Sequence, residues 1–283
     1  MKSNRLLLAA LTLAVAPSGV AAQQTYETTR IADGIYRFRY QFHNGMFVVT
    51  DDGVVVLDPI TVDAARALTG EIRRLVPGVT LAAVVYSHSH QDHASGANVL
   101  LEAFGPAPVV SHVNARVEIV AAAAPDQPVP TITFTERLTL HFGGREIQLY
   151  YLGPNHSDNS IVAIVPDSRV AFAVDFVSHD RVGFRDLASF DMAGQIVSLE
   201  RLAQLDFETI VLGHGERGNK ASVGRQIEYY RDLMTAVESA INRGLSEDQA
   251  AASISLDEYA SWGGYADWFE LNVRGMYRWA VDH

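Results

Sequence analysis

Residues 88–93 read His-Ser-His-Gln-Asp-His, and they follow directly on the apolar run Leu81-Ala82-Ala83-Val84-Val85-Tyr86. A short run of that kind, rich in β-branched and aromatic residues, forms a buried strand. Three imidazoles and a carboxylate therefore stand at a strand mouth, where charges are hard to leave unpaired. Protonated, the histidines would repel one another. Neutral, and beside Asp92, they are a set of donors for a divalent cation. A lone histidine after a strand is ordinarily a satisfied loop or core residue; four donors in six positions are not explained that way. Any fold of this chain must open the end of that strand into a metal site.

Three further donors each lie just beyond the end of an apolar run. His156 follows Ile147–Leu152 through Gly153-Pro154-Asn155, Asp175 interrupts Ala171-Phe172-Ala173-Val174, and His214 stands between Gly213 and Gly215 after Ile210-Val211-Leu212. Donors at strand ends, flanked by glycine, can be gathered at one edge of a sandwich and held there.

The spacing of apolar and turn residues supplies the rest of that sandwich. Strands are expected over 34–40, 46–50 and 53–57, with a tight turn at Asp51-Asp52-Gly53, and then over 81–86 and at Val109-Val110. A second block of strands covers 131–142, 145–152, 160–165, 169–174 and 209–212. Helices are expected after Thr61, near 95–104, over 114–124 and after Asp191. Most of 222–283 is also expected to be helical, with Ser246 and Gln249 at capping-box spacing. Strands, helices, strands, helices in that order fit two sheets, each covered on its outer face.

The first 22 residues have the order of a secretory signal peptide: basic Lys2 and Arg5, an apolar stretch over 6–15, and Val20-Ala21-Ala22 as the cleavage site. The apolar stretch is shorter than the ~20 residues a bilayer span needs. A periplasmic or secreted protein comprising residues 23–283 is the expectation. Loss of Lys2 and Arg5 would take the formal charge from −11 to −13. That charge disfavours nucleic acid as a partner and leaves a small molecule as the substrate. The chain has no cysteine, so neither a disulfide nor a thiolate ligand is available.

His88-x-His90-x-Asp92-His93, followed by His156, Asp175 and His214 at these intervals, resembles the metallo-β-lactamase superfamily of hydrolases. The resemblance runs from Gly53-Val54-Val55-Val56-Leu57-Asp58 to Gly213-His214-Gly215. It implies an α/β fold of the αββα kind, a four-layer sandwich with a two-metal site in the groove between the sheets and a C-terminal helical segment. Carried over by position, His88, His90 and His156 hold one metal, and Asp92, His93 and His214 the other. Asp175 bridges them, and Asp58 orients a ligand imidazole. The resemblance makes two zinc ions the default, although the donors would also accept iron or manganese. It implies that a hydroxide shared by the cations attacks the carbonyl of an ester, lactone, thioester or β-lactam, with Asp92 orienting the nucleophile.

His-Ser-His-Gln-Asp-His and export resemble the third subclass of β-lactamases, whereas the bridging Asp175 resembles thioesterases and lactonases. A mononuclear-iron persulfide dioxygenase of the same fold is the alternative from another reaction class, and His93 and His214 argue against it. His43, between two early strands, and His179, just past Asp175, are the remaining histidines placed near the substrate. Phe176, Phe184, Trp268 and Arg185 are read as core or surface residues.

Overall fold

Short apolar runs separated by turn residues sort into two sheets in the computed structural model, which describes residues 26–283. The expected signal peptide over 1–22, with its cleavage after Ala22, lies outside the described residues. In the first sheet seven strands lie side by side in chain order: β1 (Tyr26–Ala32), β2 (Ile35–Tyr40), β3 (His43–Thr50), β4 (Gly53–Leu57), β5 (Leu81–Val85), β6 (Val109–His112) and β7 (Ile132–Phe134). The first four form an antiparallel meander, and β4 to β7 run parallel. Parallel neighbours need crossovers. These are the helices α1 (Val62–Leu75), α2 (Gln91–Ala94) with α3 (Ala97–Phe104), and α4 (Val113–Ala122).

The second sheet has the order β12-β11-β10-β9-β8, from β8 (Arg137–Phe142), β9 (Arg145–Tyr151), β10 (Ile161–Val165), β11 (Val170–Ala173) and β12 (Thr209–Leu212). Its first four strands are antiparallel; β12 joins β11 in parallel after the helix α5 (Met192–Gln204). Three more helices close the chain: α6 (Lys220–Asn242), α7 (Glu247–Ser253) and α8 (Tyr265–Asp282).

Strand β4 shows why the result is four layers. Val54 and Val56 point outward and pack with Leu68, Ile72 and Leu100 of the covering helices. Val55 and Leu57 point inward and meet Ile147, Leu149 and Phe172 of the other sheet. Both faces are apolar, so the run reads as continuous hydrophobic sequence without alternation. A third core lies outside the second sheet, where Ala171 and Leu212 meet Leu199, Leu202, Tyr230, Leu233 and Val273. The architecture is thus helices, sheet, sheet, helices, with the C-terminal helices on the outer face of the second sheet.

The caps read from sequence are present. Thr61 Oγ1 accepts from Ala64 N at 3.3 Å, Asp191 Oδ1 from Gly194 N at 3.0 Å, and Ser246 and Gln249 form a capping box. Three elements differ from expectation. β1 is an added edge strand whose half-exposed Tyr-Glu-Thr-Thr-Arg carries no clean alternation. The run 131–142 breaks at Thr135-Glu136, and β7 stays in the first sheet while β8 begins the second. Pattern alone cannot show that break, because both halves are β-like and neither glycine nor proline marks the crossing. The turn α2 lies inside the histidine motif and is too short to show periodicity. Among the described residues, no helix is long and apolar enough to cross a membrane.

Candidate metal centre

The site collects at strand ends whose backbone is strained. Asp58 and Ile60, after β4, have φ of 55° and 73°, and Asp175, after β11, has φ of 65°. Left-handed geometry at a residue with a side chain costs on the order of 1–3 kcal/mol. Val54, Val55, Val56 and Leu57 are fully buried, and each is worth about 1.5–3 kcal/mol. The anchoring strand therefore exceeds the strain it carries.

Hydrogen bonds fix the orientation of several imidazoles. Asp58 Oδ1 accepts from Ser87 N at 2.7 Å and Oδ2 from Ser87 Oγ at 2.6 Å; Ser87 Oγ lies 2.9 Å from His88 Nδ1. Because the serine proton goes to Asp58, His88 must donate through Nδ1, which leaves its Nε2 lone pair free. That Nε2 is buried and has no hydrogen-bond partner. His214 Nδ1 donates to the Phe42 carbonyl at 2.9 Å, which likewise turns Nε2 inward. The motif loop is clamped through Ser89: its N–H donates to Asn159 Oδ1 at 3.0 Å, its carbonyl accepts from Gln127 Nε2 at 2.6 Å, and its hydroxyl donates to Glu118.

A second clamp holds the His214 loop. The buried Asn44 side-chain amide donates to the carbonyls of Leu212 at 2.8 Å and Gly215 at 2.9 Å, and its backbone N–H donates to Gly213 O at 2.7 Å. Gly213 has to be glycine, because a Cβ there would lie 2.5 Å from Val174 Cγ1 and 3.2 Å from the His93 ring.

Two groups of donors result, and each draws on both sheets. His88, His90, His156 and Asp175 form one; His43, Asp92, His93 and His214 form the other, with donor atoms in each group lying within 4.8 Å of one another. In the first, His156 Nε2 is 3.1 Å from His90 Nδ1, and Asp175 Oδ2 is 3.4 Å from both His88 Nε2 and His156 Nε2. In the second, His93 Nε2 is 3.3 Å from His214 Nε2, and Asp92 Oδ2 is 3.2 Å from His43 Nε2. The other Asp175 oxygen, Oδ1, lies 3.0 Å from His214 Nε2 and 3.4 Å from His93 Nε2. Each carboxylate oxygen thus faces a different group. Zinc–nitrogen bonds of 2.0–2.1 Å in a tetrahedron require donors roughly 3.3 Å apart, which is the spacing found. Donor type, spacing and the unpartnered His88 Nε2 and Asp175 Oδ1 all fit divalent cations.

The electrostatics agree. Burial, with the neighbouring His88 and His90, brings His156 down to about 4, and burial with His88 lowers His90. Both imidazoles are therefore neutral donors at pH 7. Burial opposes charge on His93, but Asp175 and Asp58 outweigh it and hold the imidazole protonated well above its ordinary range. Burial likewise opposes ionisation of Asp175 and Asp92. His93 and His214 overcome it at Asp175, and His43 and His93 at Asp92, so both stay carboxylates.

Both groups open onto a cleft of about 610 Å³. His43 lines it and belongs to the second donor group, closer to the chemistry than its sequence position showed. His179 does not line it. Its Nδ1 lies 2.7 Å from Ser222 Oγ, at the start of α6, and Nε2 lies 3.8 Å from Asp180. Asp58 Oδ2 lies 3.4 Å from His93 Nδ1 while both its oxygens accept from Ser87, so it contacts an imidazole and ties the end of β4 to the end of β5. Phe176, Phe184 and Trp268 line the cleft, whereas Arg185 does not. Arg181 and Tyr230 also line it, and sequence carried no signal for either.

A family model described as the Metallo-beta-lactamase superfamily matches residues 39–214. A metallo-beta-lactamase type 2 of Bacteroides fragilis is 26% identical over 185 residues, 62% of this chain and 70% of that protein. Its counterpart in Elizabethkingia meningoseptica is 28% identical over 174 residues, 57% of this chain and 68% of that one. Among solved structures, a metallo-beta-lactamase from Pontibacter korlensis superimposes with a TM-score of 0.64 at 19% identity, covering 73% of this chain and 99% of that one. A stereoselective inverting sec-alkylsulfatase from Pseudomonas sp. superimposes with a TM-score of 0.74 at 16% identity, covering 89% of this chain and 50% of that one.

Proposed function

The chain belongs to the metallo-beta-lactamase superfamily, and from that premise we propose that it is an exported two-zinc hydrolase of a carboxylic-acid derivative: an ester, lactone, thioester or β-lactam. One observation carries the reading. Two donor groups share Asp175, one oxygen each, on the floor of a cleft sized for a small molecule.

His88, His90, His156 and Asp175 would hold one cation, and Asp92, His93, His214 and Asp175 the other. When bound, the pair supplies Lewis acidity and brings the pKa of water towards neutrality. The protein supplies the rest. Neutral His90 and His156 present lone pairs without repelling a cation. Asp92, ionised and facing the cleft, accepts a hydrogen bond from the attacking water at Oδ2 and orients it. His43 Nε2 hydrogen-bonds that same oxygen and limits its rotation. Asp58, through Ser87, fixes the His88 tautomer, so that Nε2 is always the free donor. No serine or cysteine nucleophile is required.

A β-lactam is the second reading for the substrate, because the two named relatives are metallo-beta-lactamases. The test is metal content measured together with hydrolysis of nitrocefin, an acyl-homoserine lactone, a glutathione thioester and a secondary alkyl sulfate. Two zinc ions per chain, turnover abolished in His90→Ala and one of the three carboxylic-acid derivatives as the fastest substrate support the reading, and that substrate assigns the bond; the sulfate as the fastest would overturn the carbonyl assignment. One iron and no hydrolysis of any member would overturn it in favour of a dioxygenase. Export predicts a mature chain beginning at Gln23, read by intact mass; a chain retaining Met1 refutes it.

A further inference from the structure

The family match ends at residue 214, yet one wall of the cleft depends on the helices beyond it. The segment after β11 runs along the cleft and contributes Val177, Arg181, Val182 and Phe184; Tyr230 of α6 and Trp268 of α8 complete that side. The segment is tied to the C-terminal helices rather than to the sheets. Buried Asn272 of α8 donates through Nδ2 to the carbonyls of Gly183 at 2.9 Å and Arg185 at 2.6 Å, and accepts from Tyr229 Oη at 2.6 Å. Val182 N donates to Gly263 O at 3.1 Å, and Gly263 N to Asp180 O at 2.9 Å.

The chemistry of this wall is mixed in a specific way. Phe184 is 55% exposed and meets Trp268 edge-on at 5.0 Å, an apolar surface open to a ligand. The Arg181 guanidinium lies over the Trp268 ring, 4.6 Å from its centroid. Among the described residues it has no carboxylate partner, whereas the neighbouring Asp180 is taken by Arg225 at 2.7 Å. The other arginine of the cleft, Arg39, is paired with Glu216 at 2.8 Å. A guanidinium held over a ring, with its donors unspent, suits an oxyanion.

We propose that the Arg181–Phe184–Trp268 wall selects amphiphilic anions: substrates with an apolar body that packs on Phe184 and Trp268 and a terminal oxyanion that Arg181 receives. The substrate class rests on the hydrolase reading, but the binding site does not, so the two are tested separately.

Binding is measured by calorimetry on metal-free protein with octanoate, octane-1-sulfonate and uncharged octanamide. The anions are expected to bind about tenfold more tightly than the amide. Arg181→Gln should bring that ratio near one, Arg181→Lys should restore part of it, and Phe184→Ala should weaken all three ligands. Hydrolysis is measured on the zinc-loaded enzyme with 4-nitrophenyl esters of octanoic acid and of suberic acid, the latter ending in a carboxylate. The suberate ester should have the higher kcat/KM, an advantage lost in Arg181→Gln. A binding ratio of one in the unmodified protein, or one unchanged in Arg181→Gln, overturns the proposal even if both esters are hydrolysed. An intact ratio without hydrolysis of either ester supports the site and counts only against esters as the substrate of the hydrolase.

Discussion

Replacing Asn44 with alanine should loosen one donor group and leave the other in place. Asn44 is buried, and its amide is the donor to the carbonyls of Leu212 and Gly215 on either side of His214. The Leu212 carbonyl lies in buried surroundings, where losing its donor costs about 1–3 kcal/mol. The Gly215 carbonyl is partly exposed and can recruit water, so only the net worth of its hydrogen bond, about 0.5–1.5 kcal/mol, is lost there. Together the destabilisation is about 1.5–4.5 kcal/mol, or roughly 5–14 °C in Tm at about 3 °C per kcal/mol. His214 loses its backing, whereas His88, His90 and His156 do not touch the loop. Loss of outer support typically lowers metal affinity about 10–100-fold, and here one of two equivalents should weaken. Thermal melts of the metal-free protein and zinc titration monitored against a chelator read the two effects. A Tm within 1 °C of the parent, or equal weakening of both equivalents, would refute the reasoning.

Three further outcomes are expected. Gly275→Ala places a Cβ 1.8 Å from the Asp186 carbonyl; overpacking of this kind costs about 1–3 kcal/mol, and urea unfolding should show it. Asp58→Asn keeps the shape but exchanges a carboxylate for an amide beside Ser87 and His93, so zinc affinity should fall about 10–100-fold, and undiminished affinity by titration would count against Asp58 orienting these imidazoles. His156 titrates at about 4 in the fold and near 6.5 unfolded, so the unfolded chain binds the extra proton between those values. Its contribution to stability is therefore whole above about pH 6.5 and is withdrawn as pH falls to about 4; an NMR midpoint above 6 in metal-free protein contradicts this.

Much of the sandwich was legible because its strands are buried on both faces, and Val54–Leu57 and Leu81–Val85 read as unbroken apolar runs ended by polar residues. The donors at those ends were legible for the same reason: a histidine or aspartate directly after such a run is conspicuous. His43 was legible as a residue near the substrate but not as a donor, since that place depends on the register that pairs it with Tyr40 and on the bridge to His214, 171 positions away. Tyr230 was hidden because a residue of α6 facing the cleft has the same helical spacing as one facing the core, and Arg181 because it lies in an irregular segment placed by its docking on α8. The change of sheet at Thr135-Glu136 left no mark in composition.

That each donor group takes members from both sheets has a thermodynamic consequence. His88 and His90 leave β5 in one sheet, while His156 and Asp175 follow β9 and β11 in the other. A cation held among them is a clasp across the sandwich, and its binding free energy adds to folding. Free metal at 100 times its dissociation constant adds about 2.7 kcal/mol, with no disulfide available to do the same work in a chain without cysteine. The melting point of this protein should therefore report the concentration of its divalent metal, and chelation should lower stability as well as activity.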